Sequence, residues 1–301
     1  MKLHFTKMQG CGNDYVYVDG GKEIIPQEKK SELAVMVSDR HFGIGSDGLI
    51  FINPVSEDDV DFEMEMYNAD GSRSEMCGNG IRCVAKYVYD KGLTDKKNIV
   101  IVSAGKKKYI DLTIGSDGKV LSVKVDMGAP ILEPSQIPVS LSANVCGKLP
   151  NTEISGSAVI NSEINVDGKK WKVTCVSMGN PHAVVFLDSN IDLETFDIEH
   201  TGPLFENNNL FPNRINTEFV KIDDRNNVHM RVWERGTGET LACGTGCCAT
   251  AVACILGGLT DNKVTVHVLG GDITCTWQGL KDSSVVMEGP ATTVFEGTIE
   301  I

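Results

Sequence analysis

Polar and apolar residues alternate over much of this 301-residue chain, and two runs of helical spacing interrupt the alternation. The first runs from about Asn79 to Lys91, with Ile81, Val84, Ala85, Tyr87 and Val88 apolar and Gly92 placed to stop it. The second runs from about Thr245 to Leu256 and ends at Gly257-Gly258. It is apolar almost all the way round, which predicts a helix buried on every side and wrapped in sheet. Strand-like alternation follows each run. Asn98 to Ser103, Lys108 to Ile114 and Lys119 to Asp126 follow the first, the last two joined by the hairpin signal Asp117-Gly118. Asp167-Gly168 marks a hairpin leading into Trp171 to Val176. Val264 to Leu269, Ile273 to Trp277 and Val285 to Met287 follow the second helix. Thr292 to Ile301 alternates as a strand beyond the last of these, and is expected to return to the sheet of the first domain.

The two helices open on the same phrase, Cys77-Gly78-Asn79-Gly80 and Cys243-Gly244-Thr245-Gly246. The likeness extends outward. Gly12-Asn13-Asp14 is echoed by Gly179-Asn180-Pro181-His182, with Asn13 preceding Cys77 by 64 positions and Asn180 preceding Cys243 by 63. Met127-Gly128-Ala129-Pro130 is answered by Met287-Glu288-Gly289-Pro290. Self-similarity this long, found only twice, implies two similar domains rather than a solenoid. The expected division is 1–128 plus 291–301 for the first and 129–290 for the second. Pro130 to about Val166 is polar, has no counterpart in the first repeat, and reads as a domain crossover with surface decoration.

Length and 41% hydrophobic residues suit two ordinary cores. A net charge of −13 without a basic stripe excludes a nucleic-acid groove. The N-terminus lacks a signal-peptide pattern and no apolar run reaches spanning length, so no membrane role and a cytoplasmic address are expected. The ten cysteines then read as reduced. Neither a Cys-x-x-Cys pair nor closely spaced histidines are present, which argues against a metal; Cys247, Cys248 and Cys254 read as small core residues. Gly43-Ile44-Gly45-Ser46-Asp47-Gly48 matches a dinucleotide fingerprint, but the run after it, Leu49 to Ile52, reads as a strand where that fingerprint needs a helix.

A cysteine at a helix N-terminus has its thiolate favoured by the dipole and by unpaired N–H groups, which also bind anions. Two such ends facing each other across a cleft would hold one carboxylate and place a sulfur on each side of its α-carbon. One sulfur removes the proton and the other returns one from the opposite face, with no pyridoxal phosphate or other cofactor required.

At these residues the chain resembles the diaminopimelate epimerases. The likeness is carried in order by Gly12-Asn13-Asp14, Gly43-Ile44-Gly45-Ser46-Asp47, Tyr67-Asn68-Ala69-Asp70-Gly71-Ser72, Met76-Cys77-Gly78-Asn79-Gly80-Ile81-Arg82-Cys83, Gly179-Asn180-Pro181-His182, Glu234-Arg235-Gly236-Thr237-Gly238-Glu239-Thr240 and Ala242-Cys243-Gly244-Thr245-Gly246. The resemblance implies an α/β (α+β) fold of two pseudo-symmetric domains. Each would be a curved, mostly antiparallel sheet wrapped around a central helix, with the active site in the cleft between them, commonly in a homodimer. It implies interconversion of LL- and meso-diaminopimelate, a small diamino dicarboxylic acid of lysine and peptidoglycan synthesis. Cys77 and Cys243 match the acid/base cysteines, and Asn13, Asn68, Asn180 and Asn216 the substrate-contacting asparagines. Glu234 and Arg235 match charged substrate contacts, while Gly78, Asn79, Gly244 and Thr245 match backbone donors. His182 matches a histidine beside the site, read equally as a loop anchor. Gly48 departs from the glutamine common in the family. Two thiols on this architecture would also suit a proline or hydroxyproline racemase, though a small cyclic substrate gives no employment to Glu234, Arg235 and several asparagines. A silent binding module or a thiol-redox sensor are the alternatives outside racemase chemistry.

Overall fold

The computed structural model describes residues 2–74 and 77–301; Met76, part of the phrase around Cys77, lies outside the described residues. The chain divides into two compact units, Met1–Val125 with Glu288–Ile301, and Asp126–Met287. In chain order the first unit contains β1 (Lys2–Gly10), β2 (Asn13–Asp19), α1 (Gln27–Ser38), β3 (Gly48–Pro54), β4 (Phe62–Asn68), β5 (Arg73–Ser74), α2 (Gly78–Asp90), β6 (Asn98–Ser103), β7 (Lys106–Ile114) and β8 (Val120–Asp126). There follow β9 (Val145–Lys148), β10 (Ser155–Ala158), β11 (Ser162–Val166), β12 (Lys169–Ser177), β13 (Pro181–Phe186), α3 (Ile198–Glu206), β14 (Asn216–Ile222) and β15 (Asn227–Glu234). The chain continues through β16 (Gly238–Thr240), α4 (Gly244–Leu256), β17 (Lys263–Val268), β18 (Gly271–Thr276) and β19 (Val286–Gly289), and ends in β20 (Thr292–Glu300).

In the first unit β1 pairs antiparallel with β2, β2 runs parallel to β3, β3 is antiparallel to β4, and β4 runs parallel to β6, which turns back into β7. Each parallel pair needs a crossover, and each crossover is a helix: α1 between β2 and β3, α2 between β4 and β6. The alternation of β2 divides its side chains between the two. Val16 and Val18 join the cluster containing Leu33, Ala34 and Val37 of α1, whereas the Tyr17 hydroxyl donates to the Gly80 carbonyl of α2.

The second unit repeats this scheme strand for strand. β12 and β13 are antiparallel, β13 and β14 parallel across α3, β14 and β15 antiparallel, β15 and β17 parallel across α4, and β17 and β18 antiparallel. The likeness reaches the outer edge. β11 flanks β12 in the second unit, and the place beside β1 in the first is filled by β20. In α4 every residue except Thr245 is buried, as the all-round apolar pattern requires. On the other face of the β12–β15 layer, Trp171, Phe205 and Phe219 pack edge to face with centroids 5.5 to 6.4 Å apart.

One segment departs from the sequence expectation, and one helix forms across a local breaker. The segment from Pro130 to Val166 is more than crossover and decoration, since Ile137, Val139 and Val159 are buried in the aromatic cluster and β11 is a full member of the sheet. Polar composition concealed this because Ser and Asn are interspersed among the apolar residues that carry the packing, Ile164 and Val166 among them. Helix α3 contains Gly202-Pro203, a breaker pair in sequence terms. Burial of Ile198 and Phe205 and the Asp197 cap, which accepts the His200 N–H at 3.1 Å, outweigh it. No helix among the described residues is long and apolar enough to cross a membrane.

Candidate active site

Each cysteine is the N-cap of its helix. Cys77 and Cys243 have extended backbones, and each sulfur accepts the N–H three residues on, from Gly80 at 3.3 Å and from Gly246 at 3.4 Å. A helix leaves its opening N–H groups without carbonyls four residues back, so an N-cap acceptor is favoured there, and sulfur takes the place usually held by a hydroxyl or carboxylate oxygen. The sulfur is thereby fixed at the positive end of the helix.

In the first unit the Cys77 thiol donates to Oδ1 of Asn13 at 3.1 Å, and Nδ2 of Asn13 donates to Asp47 at 2.7 Å. Asp47 also accepts the backbone N–H of Asp14 at 3.0 Å and Arg40 at 2.9 Å. The loop containing Gly43-Ile44-Gly45-Ser46-Asp47 thus braces the asparagine. It follows α1 and precedes β3, the reverse of a dinucleotide loop. Gly48 stands at the start of β3 opposite Asn68, where a Cβ would lie 2.1 Å from the Tyr67 carbonyl oxygen and 2.8 Å from the Tyr15 ring. No side chain fits there, so the polar group that a glutamine would supply has no room in this chain. Asn68 donates to Ser72 Oγ at 3.0 Å.

The second unit gathers a charged set around Cys243. Asn180 donates to Thr245 Oγ1 at 3.2 Å, and that hydroxyl lies 3.5 Å from Cys243 Sγ. His182 Nε2 lies 3.0 Å from Asn180 Oδ1, and its Nδ1 lies 2.6 Å from Glu218 Oε1. His182 and Glu218 are both fully buried. Glu234 receives the Thr240 hydroxyl at 2.5 Å. Arg235 is set by its backbone N–H to Asn216 Oδ1 and by Nη1 to the Asn213 carbonyl, both at 3.0 Å. Asn216 is buried and donates its own Nδ2 to the Pro181 carbonyl at 3.0 Å. Both ends of its amide therefore serve the backbone, and its place is that of a brace for Arg235.

The expectation that the helix end depresses the thiol pKa fails at Cys243. Burial pushes this thiol well above its ordinary value, and the carboxylates of Glu234 and Glu218 push it further; the Thr245 hydroxyl and the Gly246 N–H oppose them without prevailing. Burial likewise raises the Glu234 carboxyl. These influences favour the thiol form of Cys243 in this arrangement.

Of the expected residues, Asn13, Gly78 and Asn79 gather with Cys77, while Asn180, His182, Glu234, Gly244 and Thr245 gather with Cys243. Both ring nitrogens of His182 are engaged inside the protein. Sequence reasoning missed Glu218 and Glu206. Glu218 stands as the one charge in the buried strand segment Asn216 to Val220, a burial that the sequence does not show. Glu206 accepts from Trp233 Nε1 at 2.7 Å, from the Gly236 N–H at 2.8 Å and from Arg214 at 2.8 Å, pinning the turn after Arg235; nothing local in the sequence marks it. A cavity of about 530 Å³ lined by Asn151, Arg225 and Asp261 lies at the other end of α4 and touches none of these residues. Among the described residues no group of three or more His, Cys, Asp or Glu side chains could hold a metal.

Comparison with known proteins agrees with this architecture. Residues 5–133 and 174–294 match the family model described as diaminopimelate epimerase, and the break between them spans β9, β10 and β11. A diaminopimelate epimerase of Agathobacter rectalis is 53% identical over 99% of this chain and 100% of its own length. One from Methanococcus maripaludis is 51% identical over 99% and 100%. Among solved structures, a phenazine biosynthesis protein of Bacillus anthracis superposes with a TM-score of 0.67 at 17% identity, covering all of both chains. A hydroxyproline epimerase from Agrobacterium vitis superposes at 0.66 with 13% identity, over 99% of this chain and 92% of its own. These two share the fold; the sequence likeness separates this chain from them, and by half its residues or more in common with such relatives it belongs to the diaminopimelate epimerase family.

Proposed function

We propose that this isomerase interconverts LL- and meso-diaminopimelate without a cofactor, using Cys77 and Cys243 as acid and base on opposite faces of one α-carbon. The observation that carries the reading is the repeated N-cap cysteine, present in both units with its sulfur held by the third N–H of the helix. One sulfur is thiolate and the other thiol at the start of a turnover, and the roles exchange with direction. Burial and two carboxylates favour the thiol at Cys243, which supports Cys243 as donor in the resting enzyme. The opening N–H groups of α2 and α4, at Gly78, Asn79, Gly244 and Thr245, are donors suited to the α-carboxylate and to charge developing on the carbanion. Asn13, Asn68 and Asn180 supply amides for the amino and carboxylate groups, and Arg235 a planar donor for the distal carboxylate. Glu234 is suited to a substrate ammonium group.

A homodimer in the cytosol belongs to the same reading. It is supported by the family resemblance and by ten cysteines that are all thiols in the structure. Sedimentation at micromolar concentration tests the dimer.

The experiment for the activity is proton NMR of α-deuterium incorporation from D2O. Exchange into diaminopimelate, without exchange into proline, is the expected result. Robust proline exchange with an inert diaminopimelate signal would transfer the chain to racemase chemistry.

A further inference from the structure

Glu218 is a charged side chain that the reaction proposed above does not use, yet none of its surface reaches solvent. One oxygen meets His182 Nδ1 at 2.6 Å, and the other, Oε2, is buried with no hydrogen-bond partner among the described residues. A carboxylate kept in such a place is costly unless its charge or geometry serves something nearby. What lies nearby is the first turn of α4: a Cβ on Gly246 would sit 2.7 Å from Glu218 Oε1 and 3.2 Å from Cys243 Cβ. The first unit puts Ile50 in the corresponding place, where its Cδ1 would lie 3.0 Å from a Cβ on Gly80. The fold therefore accepts an apolar residue under this turn, and the second unit has a carboxylate there instead.

From Glu218 a continuous chain leads to the sulfur. His182 Nε2 faces the Asn180 carbonyl oxygen at 3.0 Å and so carries a hydrogen, leaving Nδ1 and Glu218 Oε1 to share one more proton. With its oxygen occupied, Asn180 turns its Nδ2 to Thr245 Oγ1 at 3.2 Å, and that hydroxyl lies 3.5 Å from Cys243 Sγ. We infer that Glu218 is a positioning residue for Cys243, holding the His182 ring and through it the Asn180 amide and the Thr245 hydroxyl in one orientation beside the sulfur. This rests on the proposal that Cys243 carries a proton to and from substrate. The charge of Glu218 also acts on the sulfur from β14, alongside Glu234 from β15; His182 from β13 and the Thr245 hydroxyl and Gly246 N–H from α4 complete its polar surroundings.

The test uses the full chain with Glu218→Gln and Glu218→Ile. Glutamine keeps the length and can donate to His182 Nδ1, so the chain of contacts survives while the charge does not; isoleucine copies the first unit and removes both. Two quantities are measured. The first is kcat and KM for diaminopimelate; the second is the pH profile of Cys243 alkylation by iodoacetamide in a Cys77→Ala background. Glu218→Gln is expected to move the midpoint of Cys243 alkylation down by about one pH unit. Glu218→Ile is expected to lower kcat on the order of tenfold or more, with KM within about twofold of the parent. A residue that only supports the fold would shift melting temperature and leave the alkylation midpoint and kcat where they were, and that result overturns the inference. Should neither variant fold, histidine nitrogen NMR of the parent protein decides. At neutral pH a strongly downfield proton bridging His182 Nδ1 and Glu218 is expected from their 2.6 Å contact, whereas a His182 Nδ1 with no such hydrogen bond overturns the inference. If Cys243→Ala itself turns over normally, the two-thiol reading fails; if that variant is dead while Glu218→Gln and Glu218→Ile match the parent, only the role of Glu218 falls.

Discussion

The thiol of Cys77 donates to Oδ1 of Asn13 at 3.1 Å, and the other end of the same amide donates to Asp47 at 2.7 Å. The asparagine is thus fixed from behind by a carboxylate that in turn is held by Arg40 and the Asp14 backbone. Asn13→Ala removes the side-chain carbonyl that accepts from this sulfur. One hydrogen bond of this kind is worth about 0.5 to 1.5 kcal/mol, so kcat should fall about threefold to tenfold from lost orientation alone. Steady-state kinetics with the fold verified by circular dichroism checks it; an unchanged kcat would show that Asn13 does not orient Cys77.

Gly80 and Gly246 hold the same place in α2 and α4, but alanine should behave differently at each. Alanine in a helix gains roughly 1 kcal/mol over glycine, which favours both substitutions. At Gly80 the added methyl meets the flexible end of Ile50 at 3.0 Å, which can move aside. At Gly246 it meets Glu218 Oε1 at 2.7 Å, and that oxygen is pinned by His182. Gly80→Ala should stay within about 1 kcal/mol of the parent, and Gly246→Ala should lose about 1 to 3 kcal/mol by overpacking. Urea denaturation of both variants measures the difference; equal stabilities would contradict the rigid placement of Glu218.

The proposed distal-carboxylate role of Arg235 can be tested by substitution. Its backbone N–H and one Nη are set by Asn216 and the Asn213 carbonyl, which fixes the direction of the guanidinium. Arg235→Met keeps most of the stem and removes the donors. If the guanidinium holds the distal carboxylate, kcat/KM for diaminopimelate should fall by the equivalent of about 2 to 5 kcal/mol. Indifference of diaminopimelate turnover to this change would remove the distal-carboxylate role.

Glu65 supplies a pH dependence of stability. It accepts from Lys30 at 2.5 Å, Tyr67 at 2.7 Å, Gln27 at 2.9 Å and Asn53 at 3.1 Å. Burial raises its carboxyl pKa, but these four donors together prevail and hold it at about 2. A folded-state pKa below the unfolded value contributes stability that is complete above the unfolded carboxylate range and is lost as pH falls through the folded value. Melting temperatures should therefore decline between about pH 5 and pH 2. The decline should be shallower in Glu65→Gln, and parallel curves for the two proteins would contradict the assignment.

Much of this was legible in the sequence because the repeat is long and because helix starts and hairpin turns leave local marks. The phrases at Cys77 and Cys243 placed α2 and α4 within a residue of where they begin. The turn Asp167-Gly168 placed β11 against β12, with φ of 51° and 73° at its two residues. Helix α1 left little mark, since only Leu33, Ala34 and Val37 of its apolar residues are buried and its Lys30 is paired inside with Glu65. The raised pKa of the Cys243 thiol was illegible for another reason. It depends on Glu218 and Glu234, which tertiary pairing of β14 with β15 brings beside α4, whereas the local rule for a helix-start cysteine speaks only of the dipole.

The central claim is that both sulfurs are needed, one for each face of the α-carbon. Chiral chromatography of diaminopimelate incubated with the parent, Cys77→Ala and Cys243→Ala, each with its circular dichroism verified, tests it most directly. The account predicts that the parent brings LL-diaminopimelate to a mixture with the meso form while neither variant produces detectable meso product. A variant lacking either thiol that still epimerises within about tenfold of the parent rate would contradict it, because loss of a general acid or base should cost on the order of 10² or more.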